Sequence, residues 1–146
     1  MSHLKKSEED FITMAEAGFI AINQGDEDAA VKLFRAAELL KPGNSLPRIG
    51  LGYLHFLKLE LKEANKIFQH VLEKEPENEM AKALIGLSTA LIPTETSAGE
   101  KLLEEALKKS KDSSVKTMAT TALDFIRKFV KKSPSPVSSS MKKHKK

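Results

Sequence analysis

The chain has 146 residues, 40% hydrophobic and 30% charged, which suits one domain with a modest core. Without Cys, disulfides and thiolate chemistry are excluded, and the longest apolar run, Phe19-Ile20-Ala21-Ile22, falls far short of the ~20 residues that span a bilayer. The net charge of +4 comes from Lys142, Lys143, Lys145 and Lys146, so the rest of the chain is formally neutral and has no broad cationic face for a phosphate backbone.

The N-terminal stretch Met1 to Lys6 leads into acidic Ser7-Glu8-Glu9-Asp10, and no apolar run follows it as in a secretory signal. A cytoplasmic address is therefore the expectation. Residues 1–6 are expected to be disordered. Ser7, with Asp10 three residues on, is read as the cap of a first helix reaching about Gln24. Gly25-Asp26 makes a turn, with Asp26 as N-cap of a helix ending near Leu40. Lys41-Pro42-Gly43-Asn44 breaks the chain, and a third helix runs from Ser45 to about Leu59. The fourth, from about Lys62 to Lys74, ends before Pro76, because a residue preceding proline avoids helical backbone.

A third pair is predicted over Glu79 to Leu91 and Ala98 to Ser110, joined by the longer connection Ile92-Pro93-Thr94-Glu95-Thr96-Ser97. The last helix, Ser113 to Lys132, carries Val115, Met118, Ala119, Ala122, Phe125, Ile126 and Phe129 on one stripe. Residues 133–146 form a basic Ser/Pro/Lys tail too poor in apolar side chains to bury a core, and disorder is expected there. The expected architecture is all-α, with seven helices and a tail.

A period is also visible. Gly18 and Gly52, Ala30 and Ala64, Phe34 and Phe68, and Pro42 and Pro76 recur at a step of thirty-four. The same step puts Gly86 after Gly52 and Ala98 after Ala64, with Leu102 at the Phe position and Ser110 at the Pro position. Small residues at the Gly and Ala positions permit close approach of two helix axes. The Phe then fills the space beside them and toward the next unit, and the Pro ends the second helix. A lone hairpin of this kind cannot cover its apolar face, so neighbours must stack.

These offsets resemble the tetratricopeptide repeat over roughly residues 11–110. The sequence departs from that pattern at Met14, Arg48 and Lys82, where the family prefers a large residue, and at Ala21, His55 and Thr89, where it prefers Tyr. The resemblance implies a helical-hairpin solenoid over 7–132, with repeats at about 11–44, 45–78 and 79–112 and a capping helix at 113–132. It also implies that the first helix of each pair lines a concave groove. Carried over position by position, the groove residues are Ile12, Ala15, Phe19, Ile22 and Asn23; Leu46, Ile49, Tyr53, Phe56 and Leu57; and Met80, Ala83, Leu87, Ala90 and Leu91. Members of the family that grip a terminal carboxylate use Lys and Asn in the groove. Ala15 and Phe19 stand at those positions here, which disfavours such a clamp. An apolar strip suits the apolar face of an amphipathic helix instead. Part of the strip is equally readable as core, and self-association through it in the absence of a client stays open.

Nothing in the sequence asks for catalysis, a metal or a cofactor. His3, His55, His70 and His144 have no neighbour at triad or metal-ligand spacing, and Gly50-Leu51-Gly52 lacks the Lys-Ser/Thr of a phosphate loop. Phe125, Phe129 and Val130 form a second apolar surface, read first as cap packing. Small three-repeat chains with an apolar groove resemble the secretion chaperones of bacterial type III systems. The short lead before the first repeat resembles the group that holds the needle subunit. That likeness implies sequestration of an amphipathic helix and a small helical co-chaperone. The competing expectation is a general scaffold without a client to guard.

Overall fold

Side-chain caps at the turns set where each helix begins. In the computed structural model, which describes residues 2–131, the Asp26 carboxylate accepts from the Ala29 amide at 3.0 Å. Asn78 accepts from Ala81 at 3.0 Å, and Asp112 from Ser114 at 2.8 Å. Each such cap is worth about 1 kcal/mol, because it satisfies an amide the helix itself leaves open. The resulting elements are α1 (Ser2–Asn23), α2 (Glu27–Leu40), α3 (Leu46–Leu57), α4 (Leu61–Lys74), α5 (Glu79–Ala90), α6 (Thr96–Lys109) and α7 (Ser113–Phe125). A π-helical turn, Ile126–Val130, ends them. Among the described residues there is no strand. Consecutive helices pair as antiparallel hairpins, α1 with α2, α3 with α4 and α5 with α6, and the hairpins stack into an all-α solenoid on which α7 packs last.

Close packing at glycine holds each hairpin together. A Cβ at Gly18 would lie 2.6 Å from the Phe34 ring, and one at Gly50 would lie 2.4 Å from the same ring. Phe34 is fully buried, so one ring joins α1, α2 and α3. Phe68, also fully buried, packs in the same way on Gly52, where a Cβ would come within 2.4 Å. Burying a Phe contributes roughly 2–3 kcal/mol, and truncating one to Ala costs about 3–5 kcal/mol once the cavity is counted. Between hairpins, the Asn78 amide donates to Ser45 Oγ at 3.2 Å, and Ser110 Oγ donates to the Glu79 carboxylate.

The third hairpin departs from the thirty-four-residue step. Ala98 and Leu102, expected at the Ala and Phe positions, are exposed. Gly99 and Leu103 are buried in their place, Leu103 completely. The cause is the five-residue connection between α5 and α6, against three residues between α1 and α2 and between α3 and α4. It advances the second helix by one residue. At Gly99 a Cβ would fall 2.1 Å from the Ala90 amide nitrogen and 2.5 Å from the Gly86 carbonyl oxygen, so backbone meets backbone.

Other boundaries differ from the sequence expectation. Helix α1 already begins at Ser2, so Ser7 lies inside it and residues 2–6 are helical. No Gly or Pro interrupts this stretch, and Lys41 reaches back to Glu8 at 2.8 Å. Helix α3 ends at Leu57, because Leu59 adopts the left-handed backbone, φ 61°. Gly25, thirty-four residues earlier, does the same at φ 74°. The last helix is α-helical only to Phe125 and finishes in the π turn, where the Lys131 amide donates to the Ile126 carbonyl at 2.9 Å. Met1 and the basic Ser/Pro/Lys tail lie outside the described residues.

Candidate protein-binding groove

The first helices of the hairpins, α1, α3 and α5, carry the residues expected to line the groove, and the structure divides them by exposure. Ile12, Leu46 and Leu57 are 48%, 39% and 47% exposed, large apolar side chains open to solvent. Phe19, Tyr53, Phe56, Met80 and Leu87 are half-buried, each with one side on the core. Leu91 is half-buried and Asn23 exposed.

The other five are corrected. Ala15, Ile22, Ile49, Ala83 and Ala90 are buried and offer no surface to a partner. Ile22 packs in the cluster that contains Phe34, Leu51 and Leu54. Ile49 lies in the cluster of Phe68 and Leu84, and Ala90 lies in that of Leu103 and Ala122, against Gly99. On a helix of 3.6 residues per turn these positions border the stripe that faces the neighbouring helix, and close stacking buries them.

The half-buried aromatics are held in fixed arrangements. Tyr53 and Phe56 stack, with centroids 6.1 Å apart and planes 17° from parallel. Phe19 stands edge-on to Phe34 at 5.0 Å. Their outer faces, with Ile12, Leu46 and Leu57, make up the apolar strip that α1, α3 and α5 leave uncovered.

Helix α7, read from the sequence as a capping helix with a second apolar surface, follows the same step. Stepping thirty-four residues from α3 through α5 to α7, Pro47, Ala81 and Val115 are all buried, and so are Leu54, Ser88 and Ala122. Helix α7 therefore occupies the place of a fourth first helix. At the same step Ser114, Thr121 and Phe125 repeat positions that are open or half-buried in the hairpins, while Thr117 and Asp124 repeat positions that are mostly buried there; all five are exposed on α7. The period itself was the signal that would have found them. Thr120 stands where Gly18, Gly52 and Gly86 stand in the hairpins, and it is exposed. Phe125 and Phe129 are exposed as well, with ring centroids 5.2 Å apart, so they do not serve the cap packing first read for them. Val130 does lie against the third cluster.

Two ion-pair clusters lie outside the apolar surface, one at the α3–α4 turn and one between α6 and the π turn. At the α3–α4 turn, Lys58 bridges Glu27 at 2.8 Å and Glu60 at 2.9 Å, with His55 3.0 Å from Glu60. The Lys58 hydrogen bond, and then that of His55, holds the Glu60 carboxyl below its ordinary value. Donating to Glu27 and Glu60 raises the Lys58 ammonium above its ordinary value. Between α6 and the π turn, Lys131 reaches Glu100 at 2.6 Å, and Arg127 reaches Glu100 at 3.2 Å and Glu104 at 2.8 Å. The Lys131 hydrogen bond, with that of Arg127, holds Glu100 low. These contacts tie the π turn to α6.

The larger cavities lie elsewhere. One of about 500 Å³ opens between α4, α5 and α6, floored by Leu72, Ile85 and Ala106 and edged by Glu77, Glu105 and Lys82. Another of about 610 Å³ lies between α2, α3 and α4, beside Arg35, Glu38, Arg48 and Lys74. None of the predicted groove residues lines either. Among the described residues no group of three or more His, Asp or Glu is placed to hold a metal ion, and no helix is long and apolar enough to cross a membrane.

Residues 21–87, from the last turn of α1 into α5, match the family model described as Tetratricopeptide repeat. The match supports a tetratricopeptide repeat protein, a type of helical repeat that serves protein–protein interaction and is typically non-catalytic. No curated protein and no solved structure matches the chain.

Proposed function

We propose that this chain is a chaperone that holds an apolar or amphipathic helix of a secretion-system subunit against the strip formed by α1, α3 and α5, in the manner of the type III secretion chaperones. The observation that supports this reading is the strip itself. Ile12, Leu46 and Leu57 stand open beside the outer faces of Phe19, Tyr53, Phe56, Met80 and Leu87. Single exposed apolar residues are ordinary on a protein surface, but large apolar side chains left open or half-open on each of the three first helices favour an interaction site. The strip is shallow and has no deep cavity, which fits the i, i+3, i+4, i+7 anchors of a helix better than a small molecule.

Sequestration is the proposed mechanism. Covering the client's apolar face removes the surface through which it would self-associate, and export later strips the cover away. The proposed client is the needle subunit, with a small helical co-chaperone as a second partner, and the proposed setting is the cytoplasm. The binding residues carried forward are the exposed and half-buried members of the strip.

Co-expression with a small secretion subunit that aggregates alone is the test. A soluble one-to-one complex that Tyr53→Glu and Leu57→Glu abolish, while the variants stay folded by circular dichroism, is the expected result. A client that is equally soluble without this chain, yet binds it, points to a scaffold and overturns the chaperone reading.

A further inference from the structure

The two larger cavities are the same place in successive repeats. Thirty-four residues on from Arg35, Glu38, Ser45 and Arg48, which edge the cavity between α2, α3 and α4, stand Gln69, Leu72, Glu79 and Lys82 in the cavity between α4, α5 and α6. From α4 to α6 the step is thirty-five, because α6 is advanced by one residue, and His70, Val71 and Lys74 become Glu105, Ala106 and Lys109. The chemistry changes between the two. In the earlier cavity the Glu38 carboxylate lies 3.4 Å from Arg35 and 2.9 Å from Arg48, so the charged groups satisfy one another. In the later one Leu72 and Gln69 replace Glu38 and Arg35, no such cluster forms, and Leu72, Ile85 and Ala106 make an apolar floor with Leu102 beside it.

Glu79 lines the same cavity. It is half-buried, accepts a hydrogen bond from the Ser110 hydroxyl, itself only 4% exposed, and among the described residues forms no ion pair. At the rim Lys109 is already held by Glu105 at 2.7 Å, which leaves Lys82 against both Glu77 and Glu79. The lining therefore carries one more carboxylate than ammonium, Glu77, Glu79 and Glu105 against Lys82 and Lys109. A half-buried carboxylate short of a cation, next to uncovered leucine and isoleucine side chains, favours a ligand that is apolar along its body and positive at its end.

We infer that the cavity between α4, α5 and α6 is a second partner-binding site, taking a short segment of another protein in which a large aliphatic side chain stands next to a Lys or Arg. The aliphatic group lies on Leu72, Ile85 and Ala106, and the cation pairs with Glu79. At about 500 Å³ the cavity falls within the range of sites that enclose compact ligands, and it combines an apolar lining with a few polar groups as such sites do. A protein segment is the occupant because the repeat itself is of a type that serves protein–protein interaction. None of the residues of the apolar strip lines this cavity, so the two surfaces can be occupied together, and the site stands or falls independently of the strip.

The probes are blocked hexapeptides of Gly and Ser with Leu-Lys at the centre, matched peptides with Gln in place of the Lys or Ser in place of the Leu, and n-hexylamine. Binding is read by NMR titration of the full chain, labelled at its Ile and Leu methyl groups. The Leu-Lys peptide is expected to shift Leu72, Ile85 and Leu102 saturably, leave Leu46 and Leu57 in place, and bind about three- to fivefold more tightly than the Gln peptide. The Ser peptide is expected to bind more weakly still. Glu79→Gln keeps an oxygen for the Ser110 hydroxyl and is expected to erase the preference for Lys. Combining Gln69→Arg, Leu72→Glu and Lys82→Arg rebuilds the ion cluster of the earlier cavity and is expected to abolish binding, with circular dichroism establishing that the fold is kept. If that combination fails to fold, Glu79→Gln decides alone. The inference is overturned if no peptide binds, if Lys is not preferred, or if the preference survives Glu79→Gln. Shifts confined to Leu46 and Leu57 overturn it as well, because they place the peptide on the apolar strip. Hexylamine that binds as tightly as the Leu-Lys peptide assigns the cavity to a small amine and overturns the partner segment.

Discussion

Replacing Gly99 with Ala adds one methyl group where α5 and α6 are in backbone contact. The new Cβ would lie 2.1 Å from the Ala90 nitrogen, 2.5 Å from the Ala90 Cα and 2.5 Å from the Gly86 carbonyl oxygen, all main-chain atoms that no rotamer change can move. An ordinary contact needs about 3.5 Å, so the two helices must part by roughly an ångström, which loosens Leu103 and Ala90 in the third cluster. Overpacking of this kind costs about 1–3 kcal/mol, and the rigid backbone on both sides places Gly99→Ala at the upper end. The higher helix propensity of Ala returns at most about 1 kcal/mol. A net loss near 2 kcal/mol is expected, lowering the thermal midpoint by about 6–8 °C for a domain of this size. Circular dichroism melts and urea titration measure it, with two controls. Ala98→Leu, at an exposed position, and Gly43→Ala, where no atom lies within 4 Å of the added Cβ, should each shift stability by less than about 0.5 kcal/mol. If Gly99→Ala is as stable as wild type while Ala98→Leu is strongly destabilised, the one-residue advance of α6 is wrong.

Leu59 holds φ 61° with 73% of its surface exposed, so Leu59→Gly should raise the urea midpoint by the equivalent of about 0.5–1 kcal/mol; a lower midpoint would show that the side chain contributes more than its backbone strain costs. Ser88 is fully buried and its Oγ has no hydrogen-bond partner, so Ser88→Ala should stabilise by about 1 kcal/mol, and a loss in the melt would mean that the hydroxyl is satisfied. Glu100 is held below its ordinary value by Lys131 and Arg127, so its contribution is present above about pH 4.3, the unfolded value, and disappears as pH falls through the lower folded value. Glu100→Gln should therefore cost on the order of 1 kcal/mol or less at pH 7 and low salt, with the gap to wild type closing in acid. A gap that persists at pH 2 would assign the effect to packing instead.

Much of the fold is readable from residue order because its determinants are local. Gly18 and Gly52 opposite Phe34 and Phe68 specify close helix pairs, and Asp26 specifies a cap that the structure shows at the expected amide. What escaped was set by geometry that no short motif records. The step of thirty-four fails at Ala98 because the α5–α6 connection is longer, and only the packing of Gly99 on Ala90 reveals the advance. The start of α1 was placed too late, since Ser7 has capping chemistry but no break in the helix precedes it. In the groove, a position-by-position transfer names the right helices without saying which side chains survive as surface. Ile49 and Leu46 are both apolar first-helix residues, yet stacking buries one and leaves the other open. Helix α7 reads as a cap because most of its exposed side chains are polar, and only the thirty-four-residue step relates it to the first helices.

Thr120 changes what can pack on the outer face of α7. In each hairpin the corresponding position is a glycine, against which a second helix comes to lie. On α7 the site carries a branched side chain whose hydroxyl donates to its own helix, to the Lys116 carbonyl at 2.8 Å. A further helix, whether from a longer array or from another molecule, would meet that side chain instead of a bare backbone and could not approach to the same distance. A helix laid on this face of α7 would therefore need a small side chain opposite Thr120, where the hairpins place the Phe34 and Phe68 rings against bare glycine.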